Sequence, residues 1–240
     1  MLRAAFMCVF LTLYILILGP PLLIFTVLTK NPNPLYWTAI KGIMFFVNAV
    51  GVQVKVKGVE RIPPGTVIFA ANHTSAADAP AVVGAIPRRI AILLKRSLFK
   101  YPIVGQAFHL AQFIPVERFN RDSAIVSLEK ATEALKSGQS FLIYPEGTRS
   151  RDGRLLPFKK GTFLMAIRAE AWVVPVSLAG TQRLMRKGDW TIHPGEVVVR
   201  YGPAVQATEY TEDQRDQLRQ RVQGIVAAGL PEEQKPSAGN

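Results

Sequence analysis

A chain of 240 residues, 49% hydrophobic and 19% charged, excludes a disordered protein, a collagen-like repeat and a polytopic carrier, and leaves room for one well-buried domain with an appendage. Its 29 Lys and Arg against 17 Asp and Glu give a formal net charge of +12, so its partners are expected among polyanions: nucleic acid, anionic lipid or phosphorylated metabolites. The single cysteine, Cys8, cannot form an internal disulfide, and nothing in the composition demands an oxidising compartment.

Residues 4–29 carry no charge and are mostly Leu, Ile, Val, Phe, Ala and Met. Fully helical, they would reach about 39 Å, enough to cross a hydrocarbon core of about 30 Å. Gly19-Pro20-Pro21 interrupts the run and is expected to kink or break the helix, because proline removes backbone donors. A second apolar stretch follows at residues 40–50, led by Trp37 and Lys41, residues suited to the boundary between lipid and water. Two arrangements are open: one kinked span, or two shorter helices dipping into a single leaflet. Prolines and bulky leucines, not the small residues of a cleavage site, follow the apolar run, so the segment is expected to stay attached. Residues 1–50 therefore read as a membrane-embedded helical segment, and a bilayer surface favours anionic lipid over nucleic acid as the polyanion.

After Gly51 the texture changes to that of a soluble α/β domain, residues 51–230. Val52, Val54 and Val56 alternate with Gln53, Lys55 and Lys57 as in a half-buried strand. Short apolar runs recur at 67–71, 90–94, 113–116, 141–144, 173–178 and 197–201. Helical patterns lie between several of them. The clearest is 122–136, where Ile125, Leu128, Ala131 and Leu135 share a face, Asp122 can cap the start and Gly138 can end it. Alternating strand and helix predict a mixed, largely parallel sheet flanked by helices, which binds ligands outside the carboxyl ends of its strands. The polar tail, residues 231–240, is expected to be disordered.

Two strand exits carry the chemistry. Asn72-His73 follows the buried run 67–71, with Asp78 five residues beyond His73. On one ideal helix those two side chains would point about 140° apart. They meet only if His73 stands on the loop and Asp78 lies in the first turn of the next helix, with Ser75 as its N-cap. A carboxylate on one imidazole nitrogen would fix the tautomer and leave the other nitrogen free to take a proton from a hydroxyl. The same spacing also fits a capping box, Ser75-x-x-Asp78, in which His73 takes no part. The second exit, Pro145-Glu146-Gly147-Thr148-Arg149-Ser150, turns sharply and presents a guanidinium fork, two hydroxyls and a glycine permitting close approach, the parts of a phosphate cradle. An internal Glu146–Arg149 pair in an ordinary loop is its alternative.

Together these segments resemble the glycerolipid acyltransferase family, in particular its 1-acylglycerol-3-phosphate (lysophosphatidate) acyltransferases. Asn72, His73 and Asp78 match the family's Asn-His-x-x-x-x-Asp motif, and residues 145–150 match its Pro-Glu-Gly-Thr-Arg-Ser motif in full. Residues 113–118, containing Arg118, and 173–176, containing Pro175, match two weaker blocks in the family's order. The resemblance spans roughly residues 52–203, with Lys95, Leu98, Pro102 and Gly105 also in place.

The resemblance implies transfer of an acyl group from a thioester, acyl-CoA or acyl carrier protein, to the free hydroxyl of lysophosphatidate, giving phosphatidate. His73 would be the general base and Asp78 its orienting partner. Arg118 and Arg149 would hold the acceptor's phosphate, Gly147 would permit its approach, Thr148 and Ser150 would add donors, and Glu146 would position the acceptor or the arginines. Two basic clusters, one of Arg88, Arg89, Lys95, Arg96 and Lys100 and one of Arg151, Arg154, Lys159 and Lys160, suit anionic lipid or the phosphates of CoA. No metal and no cofactor beyond the thioester co-substrate is expected, and His109 and His193 lack spaced partners. The expected setting is a membrane, with the catalytic domain on the cytoplasmic face where such donors occur. Glycerol 3-phosphate or another lysolipid is the alternative acceptor, and a non-catalytic protein binding anionic lipid the alternative class. Nucleic acid is not expected, because the basic residues are not interleaved with a stacking surface.

Overall fold

The computed structural model describes residues 2–117, 121–185, 188 and 191–236. Its elements in chain order begin with helices α1 (Leu2–Thr29) and α2 (Asn33–Ala49), strand β1 (Val52–Lys57), β2 (Val67–Ala71), α3 (Asp78–Val83) and β3 (Ile90–Lys95). They continue with α4 (Val104–Leu110), β4 (Ile114–Val116), α5 (Arg121–Lys136), β5 (Ser140–Ile143), α6 (Gly161–Arg168) and β6 (Trp172–Ala179). The last are α7 (Thr181–Leu184), β7 (Gly195–Tyr201), β8 (Val205–Gln206) and α8 (Arg215–Ala228).

Helix α1 is continuous through Pro20 and Pro21, so the chain does not break there. Proline's φ is already helical, and the long apolar turns on both sides hold the segment although the ring nitrogens donate nothing. Gly19 in the same turn has a packing role: a Cβ there would lie 2.6 Å from Ile103 Cγ2, at the start of α4. Ile103 itself has φ 64°, a strained setting for a β-branched residue. Helix α2 folds back on α1, and Tyr14 Oη donates to the Thr38 carbonyl at 2.7 Å across Gly42, whose missing side chain makes room for the Tyr14 ring. The far side of α1 stays bare, with Ile17 65% and Leu28 78% exposed. Among the described residues one helix, over Val9–Thr29, is long and apolar enough to cross a membrane.

The strands form one sheet in the order β1-β7-β6-β2-β5-β3-β4, with β8 beside β6. Strands β6, β2, β5, β3 and β4 are mutually parallel, while β7 pairs antiparallel with β6 and parallel with β1. The expected mixed, largely parallel sheet flanked by helices is therefore present. Side chains of β2 alternate between its two faces, as a period of two requires. Val67, Phe69 and Ala71 pack with Phe46 and Val47 of α2 and with Ala81 and Val82 of α3. Ile68 and Ala70 pack with Leu135 of α5, Phe163 of α6 and Val222 of α8.

Topology places the functional loops. The crossover after β2 leads through α3 over β5 to β3, whereas the one after β5 leads through α6 over β2 to β6. Right-handed crossovers running in opposite directions put α3 and α6 on opposite faces and open a crevice between the carboxyl ends of β2 and β5. The tail corrects the expectation of disorder over its first residues: Glu232–Gln234 form a single 3-10 turn, Gln234 is buried, and its carbonyl accepts from Leu155 N at 2.8 Å. Residues 237–240 lie outside the described set.

Candidate active site

Strand β2 delivers His73 to the crevice, and Asn72 fixes the point of exit. The buried Asn72 side chain completes the ladder to β6 where the β2 backbone turns away: Nδ2 donates to the Leu178 carbonyl at 3.0 Å and Oδ1 accepts from Leu178 N at 2.7 Å. Two residues on, Thr74 Oγ1 meets Thr181 Oγ1 at 3.1 Å. The loop is thus pinned to the neighbouring strand and to α7.

Asp78 is fully buried at the first position of α3. Its Oδ2 gathers three donors: His73 Nδ1 at 2.8 Å, Thr74 N at 2.7 Å and Ser75 N at 2.9 Å. An oxygen already accepting two amides is an acceptor toward the ring as well, so the hydrogen sits on Nδ1 and Nε2 is left as the basic nitrogen. Both readings of the spacing hold at once, because the carboxylate that accepts the Ser75 amide in capping-box fashion is the one that holds the imidazole. Ser75 is not the N-cap. Ala77 occupies that position, and Ser75 Oγ instead accepts from Ala77 N at 3.0 Å and donates to the Met185 carbonyl at 2.7 Å.

The loop after β5 wraps His73 from the other side. Glu146 is buried, and its Oε1 accepts the His73 amide at 2.8 Å, while Ser150 N donates to the His73 carbonyl at 2.8 Å. Burial raises the Glu146 carboxyl to about 8, the His73 amide holding it lower and the nearby Asp78 charge pushing it further up. Its other oxygen, Oε2, makes no hydrogen bond, and neither do Asp78 Oδ1 or the Tyr144 hydroxyl. Tyr144 lies flat on His73, with ring centroids 4.1 Å apart and planes 19° from parallel. Burial, reinforced by the Asp78 charge, drives its phenol well above the usual range.

The residues expected to bind substrate therefore divide. Glu146 and Ser150 face inward on the backbone of His73, and Ser150 Oγ is further engaged by Asp152 at 2.8 Å and Gly153 N at 3.1 Å. Thr148 is exposed and Arg149 half-buried on the same turn. Gly147 has φ 71° and lines a cavity of about 170 Å³ together with His73, Tyr144, Leu128 and Lys159. Arg118 lies outside the described residues. Neither the Tyr144 stack nor the pairing of the Asn72 side chain with Leu178 is visible in the motif spacing alone. The period-two alternation of β5, which sets Tyr144 on the same face as Leu142 next to the strand exit, is the signal that could have found the ring. Among the described residues no three His, Cys, Asp or Glu side chains form a group able to hold a metal.

A hydroxyl entering this cavity would find an oriented imidazole nitrogen on one side and the glycine-and-arginine turn on the other. The acyltransferase family model matches residues 53–179. A 1-acyl-sn-glycerol-3-phosphate acyltransferase of Limnanthes douglasii is 34% identical over 203 residues, 84% of this chain and 71% of that protein. The human 1-acyl-sn-glycerol-3-phosphate acyltransferase alpha is 32% identical over 174 residues, 72% of this chain and 62% of that protein. The crystal structure of PlsC from Thermotoga maritima, a 1-acyl-sn-glycerophosphate (LPA) acyltransferase, superposes with a TM-score of 0.82 at 30% identity, covering 95% of this chain and 93% of that one.

Proposed function

Since the chain belongs to the acyltransferase family, we propose that it moves a fatty acyl group from a thioester, acyl-CoA or acyl carrier protein, to the free hydroxyl of lysophosphatidate, yielding phosphatidate. The observation carrying this reading is the 2.8 Å contact of His73 Nδ1 with Asp78 Oδ2, held at the wall of a cavity that also contains the Gly147 turn. The names of its relatives supply the acceptor class.

In the proposed reaction Nε2 of His73 takes the proton of the acceptor hydroxyl as its oxygen attacks the thioester carbonyl. The new C–O bond forms, the C–S bond breaks, and the imidazolium returns its proton to the departing thiolate. The products are an ester and a free thiol, and His73 ends neutral. Asp78 stabilises the imidazolium and keeps the tautomer. Arg149 is assigned to the acceptor's phosphate, Gly147 to its close approach, and Arg118 to the same phosphate as a second cation. Glu146 and Ser150 act through the backbone of His73 and need not touch substrate.

The apolar outer face of α1 supports attachment to a bilayer, from which a lysolipid acceptor reaches the crevice, and a catalytic domain on the cytoplasmic side would meet the proposed donors. Offering the purified protein lysophosphatidate, glycerol 3-phosphate and other lysolipids with both donor types tests the proposal. Rapid thiol release with lysophosphatidate is expected. A preference for another acceptor would replace the substrate while keeping the chemistry, and liposome binding without thiol release from any pair would favour a non-catalytic lipid-binding protein.

A further inference from the structure

The four cations 151, 154, 159 and 160 look alike in sequence, but the fold gives them different surroundings. Lys160 Nζ is paired with Asp216 of α8 at 2.6 Å, and Arg154 Nη1 reaches the Lys235 carbonyl at 3.3 Å. Lys159 turns the other way. Its backbone amide donates to the Pro145 carbonyl at 2.9 Å, which locks it to the turn after β5, and its side chain lies across Gly147. A Cβ built on Gly147 would be 2.8 Å from Lys159 Nζ, 3.0 Å from Cε and 3.3 Å from Cδ. The absence of a side chain at 147 is therefore what lets this ammonium lie along the wall of the cavity that contains His73. Among the described residues Lys159 makes no ion pair.

Resting on the proposed function, we infer that Lys159 contacts the phosphate of the acceptor and so helps select a phosphate-bearing lysolipid. The choice of phosphate follows from substrate chemistry. In lysophosphatidate only a few bonds separate the reactive hydroxyl from phosphorus, so a hydroxyl at His73 carries its phosphate into the same cavity. The phosphates of CoA or of a carrier's prosthetic group lie at the far end of a long pantetheine arm, away from the thioester. A cavity of about 170 Å³ is of headgroup size. An exposed ammonium without an acid partner, lining the same cavity as the His73 imidazole, thus meets the acceptor's dianion as a charge-assisted contact of the kind lysine makes with phosphate.

Steady-state kinetics of the full-length protein in detergent, varying acceptor and donor separately, test this. Lys159→Met keeps the length of the side chain and removes its charge. It is expected to raise KM for lysophosphatidate roughly 10–100-fold, the worth of a hydrogen bond to a charged group, with kcat within about threefold and donor KM unchanged. Lys159→Arg should restore most of the loss, and Lys160→Met, which breaks only the contact with Asp216, should leave acceptor KM as it was. An acceptor KM within twofold of wild type in a Lys159→Met protein with an unchanged melting temperature overturns the inference, as does a rise in donor KM alone. A wild-type protein inert on lysophosphatidate overturns the proposed function first and this assignment with it.

Discussion

His73 and Glu146 stand at the same register, three residues beyond the paired positions Ala70 and Ile143 of the adjacent parallel strands β2 and β5, and the Glu146 carboxyl accepts the His73 amide at 2.8 Å. Because the strands are parallel and side by side, their exits face each other. The second motif accordingly serves first as a brace for the backbone of His73.

The brace carries a pH signature. Burial places the Glu146 carboxyl at about 8, above the ordinary carboxylate value of 4.5, so between those limits the folded state holds a proton that the unfolded state has lost. The contribution to stability is complete below the unfolded value and is lost as pH rises toward about 8, at up to roughly 1.4 kcal/mol per unit. Glu146→Gln retains an acceptor for the His73 amide and removes the titration. Its melting temperature should therefore fall less than that of wild type between pH 5 and 8. Identical pH dependence of the two proteins would count against the buried, protonated acid.

Tyr144 contributes a ring to His73 and leaves a buried hydroxyl without a hydrogen bond. Tyr144→Phe keeps the stack and removes the unsatisfied group, so it should be neutral or stabilising by about 1 kcal/mol, with activity within about threefold. Tyr144→Leu forfeits the stack, worth about 0.5–1.5 kcal/mol, and should lower both melting temperature and kcat. Denaturant unfolding of the two variants decides it; a Phe variant less stable than the Leu variant would contradict the account.

Asn72 is the residue whose loss should spread furthest. Asn72→Ala leaves Leu178 N and its carbonyl unpaired inside the protein, at about 1–3 kcal/mol for each buried group. The His73 loop loses its anchor to β6, so activity should drop together with stability. An Ala variant as stable as wild type would show that the exit of β2 is held by other contacts.

Much of this was legible in the chain because it depends on local periodicity. The alternation of Val52, Val54 and Val56, the apolar runs and the face made by Leu128, Ala131 and Leu135 all report elements that bury one side. His73 and Asp78 were legible too, since a five-residue separation meets only across a loop-to-helix boundary. What failed depended on competition between local and tertiary partners. Ser75 is a good capping residue, but the Met185 carbonyl engages its hydroxyl. Ile125 belongs to the apolar pattern of α5 yet remains 46% exposed. Proline signals breakage at 20 and 21, but flanking turns and the notch for Ile103 keep α1 continuous. Glu146 beside Arg149 suggested a surface pair or a substrate contact, and only the register of two strands distant in sequence aims the acid at a backbone amide.

In the proposed reaction His73 and Asp78 work as one unit on the acceptor hydroxyl, and a double-mutant cycle in kcat measures that coupling most directly. With lysophosphatidate and a saturating acyl thioester, His73→Ala is expected to lower kcat by about 10²–10⁴. Asp78→Asn should lower it by at least about tenfold, and the double variant should be no slower than His73→Ala alone, because removing the orienting acid costs nothing once the base is gone. Either single variant within threefold of wild type, or a double variant slower by the full product of the two losses, would contradict the account.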